Sequence, residues 1–149
     1  MTKLQPILLA EDSPEDVELT LEALSHQNLA NRVAVVRDGV EALEYLRCQG
    51  AFADRQTGDP VVVVLDIKMP RMGGLEVLRE IRGDPELKML PVVVLTSSRE
   101  QQDLITSYEL GVNAYVVKPI EFSRFIDAVK EIGVFWALLN EPPVRGRKA

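Results

Sequence analysis

The chain of 149 residues has few cysteines and no long apolar segments, which small proteins use for disulfides, membrane insertion or targeting. It contains one cysteine, Cys48, so it cannot form an internal disulfide, and a reducing compartment is expected. No apolar run approaches the roughly 20 residues that a membrane span needs. Near the amino terminus, only four apolar residues follow Pro6, too few for the core of a signal peptide. We therefore expect a soluble, cytoplasmic protein with no membrane partner.

Positive charge and histidine are also scarce. The 17 lysines and arginines are outnumbered by 23 acidic residues, and the net charge of −6 disfavours nonspecific binding to nucleic acid. We therefore expect no nucleic-acid partner. His26 is the one histidine, so the chain cannot combine a phosphohistidine site with other histidine chemistry. The length and a hydrophobic content of 46% predict a single domain whose core needs no disulfide or metal.

Short apolar segments alternate along the chain with segments of helical spacing. The run from Val61 to Leu65 is unbroken and β-branched, which is typical of a strand buried on both faces of a parallel sheet. The predicted strands are residues 6–10, 32–36, 61–65, 91–95 and 113–117. Because strands and helices alternate, right-handed crossovers and helices on both faces of the sheet are expected. Residues 48–59 show no consistent period and are predicted to form a long surface loop.

Several helix boundaries can be predicted from capping residues. Ser13 followed by Pro14 is typical of a helix start, and Asp38 introduces the next helix. Ser98 with Gln101 resembles a capping box for a fourth helix that ends near Gly111. Apolar spacing predicts a third helix over residues 75–82 and a last one over residues 121–140.

Polar side chains follow four of the predicted strands. Glu11 and Asp12 come after the first, and Asp66, Thr96 and Lys118 follow the third, fourth and fifth. The carboxyl ends of parallel strands meet at one edge, so these groups are expected to share a crevice. Crowded carboxylates suit Mg²⁺, and an ammonium can bind a phosphoryl oxygen. The set predicts phosphoryl transfer to Asp66.

In this arrangement the chain resembles the receiver domain of two-component response regulators. The resemblance covers nearly the whole sequence. The residues that carry it are Glu11-Asp12, Asp66, Met69-Pro70, Gly73-Gly74, Thr96-Ser97, Tyr115 and Lys118-Pro119. The resemblance implies a flavodoxin-like fold, a five-stranded parallel sheet in the order 2-1-3-4-5. It also implies a cis bond between Lys118 and Pro119.

The same resemblance implies a role for each residue. Asp66 would accept the phosphoryl group from a sensor histidine kinase, and Lys118 would contact that group. Asp12 would be the main carboxylate that binds Mg²⁺. Asp66 and the backbone carbonyl of Lys68 would be further ligands, and Glu11 would act through water. Thr96 would close on the phosphoryl group. Tyr115 would turn inward as the switch on the face formed by the fourth helix, fifth strand and fifth helix.

The last predicted helix would be about 30 Å long and would extend beyond strands of about 17 Å. Its apolar residues predict a homodimer with heptad-like contacts between helices, unless the chain bends and covers them itself. The predicted interface residues are Phe122, Phe125, Val129, Ile132, Phe135, Trp136 and Leu139. Residues 1–140 are thus predicted to form the receiver, and the basic segment 141–149 a disordered tail too short for an output domain.

Weaker features resemble one group within the family. The long segment before the third strand and the sequence Glu-Ile-Gly-Val-Phe-Trp at residues 131–136 are similar to the stand-alone regulators that pair with bacterial and cyanobacterial phytochrome kinases. This resemblance implies a bacteriophytochrome-type kinase as the partner.

Other interpretations remain open at this point. Taken one by one, Asp66 and Thr96 could cap turns, Tyr115 could be an edge-strand aromatic, and Lys118 could be a solvated charge. A receiver-like scaffold that never takes phosphate is a second alternative. A haloacid-dehalogenase-like phosphatase is disfavoured, because Lys68 stands where that class has its general acid. We expect no enzyme activity beyond self-catalysed phosphorylation and dephosphorylation of Asp66.

Overall fold

Five parallel strands form one sheet in the computed structural model, which describes residues 5–25, 32–56, 58–96 and 106–133. The strand order is β2-β1-β3-β4-β5, and every neighbouring pair is parallel. The bounds are β1 Ile7–Ala10, β2 Val33–Val36, β3 Val62–Asp66, β4 Val92–Thr96 and β5 Ala114–Val117. The predicted fold and strand order are confirmed. The Lys118-Pro119 bond is cis, as predicted.

The helices lie between the strands. Their bounds are α1 Pro14–Leu24, α2 Gly39–Arg47, α3 Gly74–Gly83, the helical residues 106–109, which we call α4, and α5 Phe122–Glu131. The Ser13 hydroxyl accepts the N–H of Asp16 at 3.3 Å, and the Asp38 carboxylate accepts that of Glu41 at 2.9 Å. The predicted cap at Ser13 is confirmed, and Asp38 caps the helix that was predicted to follow the Asp38-Gly39 turn. The predicted helix start at Ser98 lies outside the described residues. No helix in the described part of the chain is both long and apolar enough to cross a membrane.

The sheet is covered on both faces. Along β1, Leu8 packs in a core cluster with residues of α2 and α3, whereas Ile7 and Leu9 pack in a second cluster with residues of α1 and α5. The valines of β3 alternate in the same way. Burial on both faces explains why β3 has no polar residue before Asp66.

The segment between α2 and β3 is ordered by a buried arginine. A short 3₁₀ turn spans Gly50–Phe52, and Arg55 is 3% exposed. Its guanidinium donates to the backbone carbonyls of Tyr45 (2.7 Å), Leu46 (3.4 Å), Gln56 (3.0 Å) and Gly58 (3.2 Å). It also lies 4.4 Å from the centre of the Tyr45 ring. The prediction of a surface loop is therefore incomplete, because this side chain ties the loop to the end of α2.

The predicted single helix over residues 121–140 is wrong, because α5 ends at Glu131. The N–H of Ile132 donates to the carbonyl of Ala128, and Gly133 has a φ of +79°. A glycine in this left-handed conformation commonly ends a helix. The predicted interface residues Phe135, Trp136 and Leu139 lie outside the described residues, as does the predicted tail 141–149.

The interface prediction is also corrected within α5. Phe125 and Val129 are 0% exposed, because they pack beneath α5 against the sheet. Phe122 and Ile132 are half-buried against the same cluster. The regularly spaced apolar residues of α5 are therefore part of the protein core. Phe125 and Val129 are not available to contact a second subunit.

We expect Arg55→Met to lower the free energy of unfolding by about 2–4 kcal/mol, because it leaves several buried carbonyls without a donor. Arg79→Met, on the exposed side of α3, is the control and should change stability by less than about 0.5 kcal/mol. Urea unfolding followed by circular dichroism measures both. Equal stability of the two variants would contradict the role of Arg55.

Candidate functional site

The predicted polar residues lie at the carboxyl edge of the sheet. Asp66 and Thr96 are the last residues of β3 and β4, and both are buried. The backbone holds the other two in place: the N–H of Glu11 donates to Val36 at 3.0 Å, and that of Lys118 donates to Thr96 at 2.9 Å. Both hydrogen bonds continue the sheet beyond the strand ends. The sheet itself therefore positions the crevice.

The Lys118 ammonium lies among three carboxylates. Its Nζ is 2.7 Å from Oε2 of Glu11, 3.0 Å from Oδ2 of Asp16 and 3.2 Å from Oδ2 of Asp66. The predicted convergence of Glu11, Asp66 and Lys118 is thus present in the structure. Asp16 was not predicted as a site residue. An acid in the first turn of a helix is favoured by the helix dipole alone, so nothing in the sequence set Asp16 apart.

Three carboxylates could hold a metal ion. Glu11, Asp12 and Asp66 each offer an oxygen within 4.8 Å of the others. Glu11 is fully buried; its Oε1 accepts the N–H of Ser13, whereas its Oε2 has no hydrogen bond despite the close ammonium. Asp12 is exposed. A buried carboxylate oxygen without a hydrogen bond, beside two other acids, fits a hard divalent cation such as Mg²⁺.

Burial and repulsion change the ionisation of this crevice. Burial of Asp66, together with the charge of Glu11, raises its pKa to about 7, and Lys118 opposes this rise. Burial lowers the pKa of Lys118, but its close contacts with the carboxylates of Glu11 and Asp16 outweigh that effect, so the pKa is raised. Lys118 therefore stays charged, whereas Asp66 titrates near neutral pH when no metal ion is bound.

The loop after Asp66 is held closely against it. A Cβ on Gly74 would collide with the backbone carbonyl of Asp66, so only glycine fits there without a shift. Arg71 has a φ of +63°, and its guanidinium donates twice to the Asp38 carboxylate, at 2.9 and 3.2 Å. This pair fastens the loop to the start of α2. Lys68 is exposed within the loop, and its carbonyl as a metal ligand stays a prediction.

The predicted switch residues occupy different environments. Thr96 is 1% exposed at the end of β4. Tyr115, on β5, is 42% exposed, and its ring meets that of Tyr108 edge to face, with 6.1 Å between the centres. Tyr115 therefore lies outward against α4 in this structure. Its predicted inward turn stays a prediction.

Comparison with known proteins identifies the family. Residues 7–130 match the response regulator receiver domain. The chain belongs to this family. Response regulator Rcp1 of Synechocystis sp. is 39% identical to this receiver over 130 residues, which cover 87% of each chain.

Solved structures of receivers are also similar. The bacteriophytochrome response regulator AtBRR has 60% identity and a TM-score of 0.82, covering 93% of this chain and 99% of its own. RtBRR, also a bacteriophytochrome response regulator, has 56% identity and a TM-score of 0.82, covering 94% and 84%. The Mn²⁺-bound form of Rcp1 has 36% identity and a TM-score of 0.71, covering 97% and 100%. The fold and the acidic cluster of this receiver agree with these likenesses.

We expect Mg²⁺ to stabilise this receiver, because the cation relieves the repulsion among Glu11, Asp12 and Asp66 in the folded state. At a concentration 100 times the dissociation constant, the gain would be about 2.7 kcal/mol. Thermal melts in MgCl₂ and in NaCl of equal ionic strength measure it. Asp12→Asn should reduce the difference and the exposed Glu15→Gln should not. A melting temperature that is unchanged at 10 mM Mg²⁺, roughly a typical assay concentration, would argue against a metal site.

We also expect Asp66→Asn to stabilise the metal-free receiver at pH 8 by about 1 kcal/mol, roughly 2–4 °C in melting temperature. The folded state raises the pKa of Asp66 from its ordinary value of 3.8 to about 7, so ionisation of this group opposes folding increasingly across that range and no further above it. The advantage of the variant should shrink toward pH 5, where the wild-type carboxyl is protonated. The exposed Asp54→Asn is the control. An advantage that is the same at both pH values would contradict the raised pKa.

Proposed function

We propose that this receiver accepts a phosphoryl group on Asp66 from a phosphohistidine of a sensor kinase and signals through the face formed by α4, β5 and α5. The observation that supports it most is the Lys118 ammonium 3.2 Å from the Asp66 carboxylate, beside the acidic cluster. The similarity to AtBRR and RtBRR, both named as bacteriophytochrome response regulators, supports a phytochrome-type kinase as the donor.

The transfer is a simple displacement. A carboxylate oxygen of Asp66 attacks phosphorus; the new O–P bond forms as the P–N bond breaks, and the histidine nitrogen keeps the electron pair and takes a proton from solvent. Lys118 balances the charge on the phosphoryl oxygens. Glu11, Asp12 and Asp66 would hold Mg²⁺, which, when bound, neutralises charge on both the carboxylates and the phosphoryl group.

The output begins at Thr96. A phosphoryl group adds about one to two negative charges and strong acceptor oxygens, to which the Thr96 hydroxyl donates. The space that Thr96 leaves is taken by Tyr115, which exchanges its contact with Tyr108 for an inward position. This change favours one of two arrangements of the α4, β5 and α5 face.

The same face is our proposed site of homodimerisation. Tyr108, Tyr115 and Arg124 line an open groove of about 490 Å³ between α4, β5 and α5. Because Phe125 and Val129 are in the core, the contact would use the exposed residues of this groove. Sedimentation as a monomer at micromolar concentration would refute the dimer.

Asp66→Asn tests the central proposal. We expect it to abolish labelling by radioactive acetyl phosphate or by an autophosphorylated kinase, because the amide cannot form the acyl phosphate. Asp54→Asn, which removes an exposed aspartate, should be labelled like the wild type. Circular dichroism verifies that both fold. Acid-labile phosphate retained in Asp66→Asn would refute the assignment, and no labelling of the wild type by any donor would favour the scaffold alternative.

A further inference from the structure

Asp16 lies in the crevice without a part in the transfer described above. It belongs to the first turn of α1, and its Oδ2 is 3.0 Å from the Lys118 ammonium. This contact has the geometry of a hydrogen bond. Oε2 of Glu11 lies 2.7 Å from the same nitrogen and forms an ion pair with it. Asp16 and the buried acid thus share one ammonium.

An ammonium has three N–H groups, and Lys118 already faces three carboxylates. A phosphoryl group on Asp66 places new anionic oxygens farther out in the crevice, and Lys118 must turn toward them. One of its present contacts then has to weaken.

The three carboxylates differ in how easily they can release the ammonium. The Glu11 side chain is 0% exposed, so water cannot take the place of the ammonium there. Asp66 becomes the phosphorylated group itself. The Asp16 side chain is 36% exposed and can bind water instead. Asp16 is therefore the partner that Lys118 can leave at the lowest cost.

From this geometry we infer that Asp16 is a positioning residue that holds Lys118 in the unphosphorylated state and competes with the phosphoryl group for its ammonium. This inference rests on the proposed phosphorylation of Asp66. The Asp16 carboxylate also places a negative charge next to the incoming phosphoryl oxygens, and this repulsion likewise opposes the phosphorylated state. Removing that carboxylate should favour the phosphorylated state.

The test compares Asp16→Asn with Glu15→Gln. Each removes one negative charge from the first turn of α1, so effects on the helix dipole and on the overall field are matched. Glu15 is exposed and has no contact with Lys118 in the structure. Affinity for beryllofluoride, which takes the place of a phosphoryl group on an aspartate, is measured by calorimetry with saturating Mg²⁺. The rate of labelling by acetyl phosphate is measured in parallel.

We expect Asp16→Asn to bind beryllofluoride about three- to tenfold more tightly than Glu15→Gln and to be labelled faster, in keeping with one released ion pair. In a Lys118→Gln chain the two variants should no longer differ. Equal affinities of the two variants, or weaker binding by Asp16→Asn, would overturn the inference. So would an affinity difference between the two variants that persists in the Lys118→Gln chain. If the wild type itself neither binds beryllofluoride nor is labelled, the proposed function fails first, so the two failures can be told apart.

Discussion

The ion pair between Glu11 and Lys118 is the constraint on which the site depends. A fully buried carboxylate is costly unless a cation faces it, and here the cation comes from the end of another strand. Glu11 follows β1 and Lys118 follows β5, and β3 and β4 lie between these two strands in the sheet. The pair therefore spans two strands at their carboxyl ends, directly beside Asp66. The charge that makes the burial of Glu11 tolerable therefore also faces the Asp66 carboxylate.

The two core clusters hold the strand ends of this crevice in place. Strands β3 and β4 are buried along their whole length on both faces, so their last residues have little freedom. Asp66 and Thr96 are buried by this packing, whereas Asp12 and Asp16, near the start of α1, keep contact with solvent. The site thus combines a buried Asp66 with more accessible acids around it. Such a division suits the role proposed for Asp66.

The sequence predicted the features that follow from local residue patterns and from motifs similar to those of the receiver family. Apolar, β-branched runs placed the strands to within a residue, and Ser13 and Asp38 placed two helix starts. It could not reveal Asp16 as a partner of Lys118, because 102 residues separate them and either charge is unremarkable alone. Arg55 was missed for a related reason: its partners are backbone carbonyls, which no side-chain pattern reports. The length of α5 was overestimated because apolar spacing continues past Gly133, while the conformation of that glycine ends the helix.

Gly74 shows how closely the backbone around Asp66 limits variation in the gene. A glycine codon becomes an alanine codon by one base change, so this replacement arises readily. The added methyl would meet the Asp66 carbonyl, and either β3 or the start of α3 would have to move. The fold itself thus disfavours this single-base replacement, independently of any partner that the receiver binds.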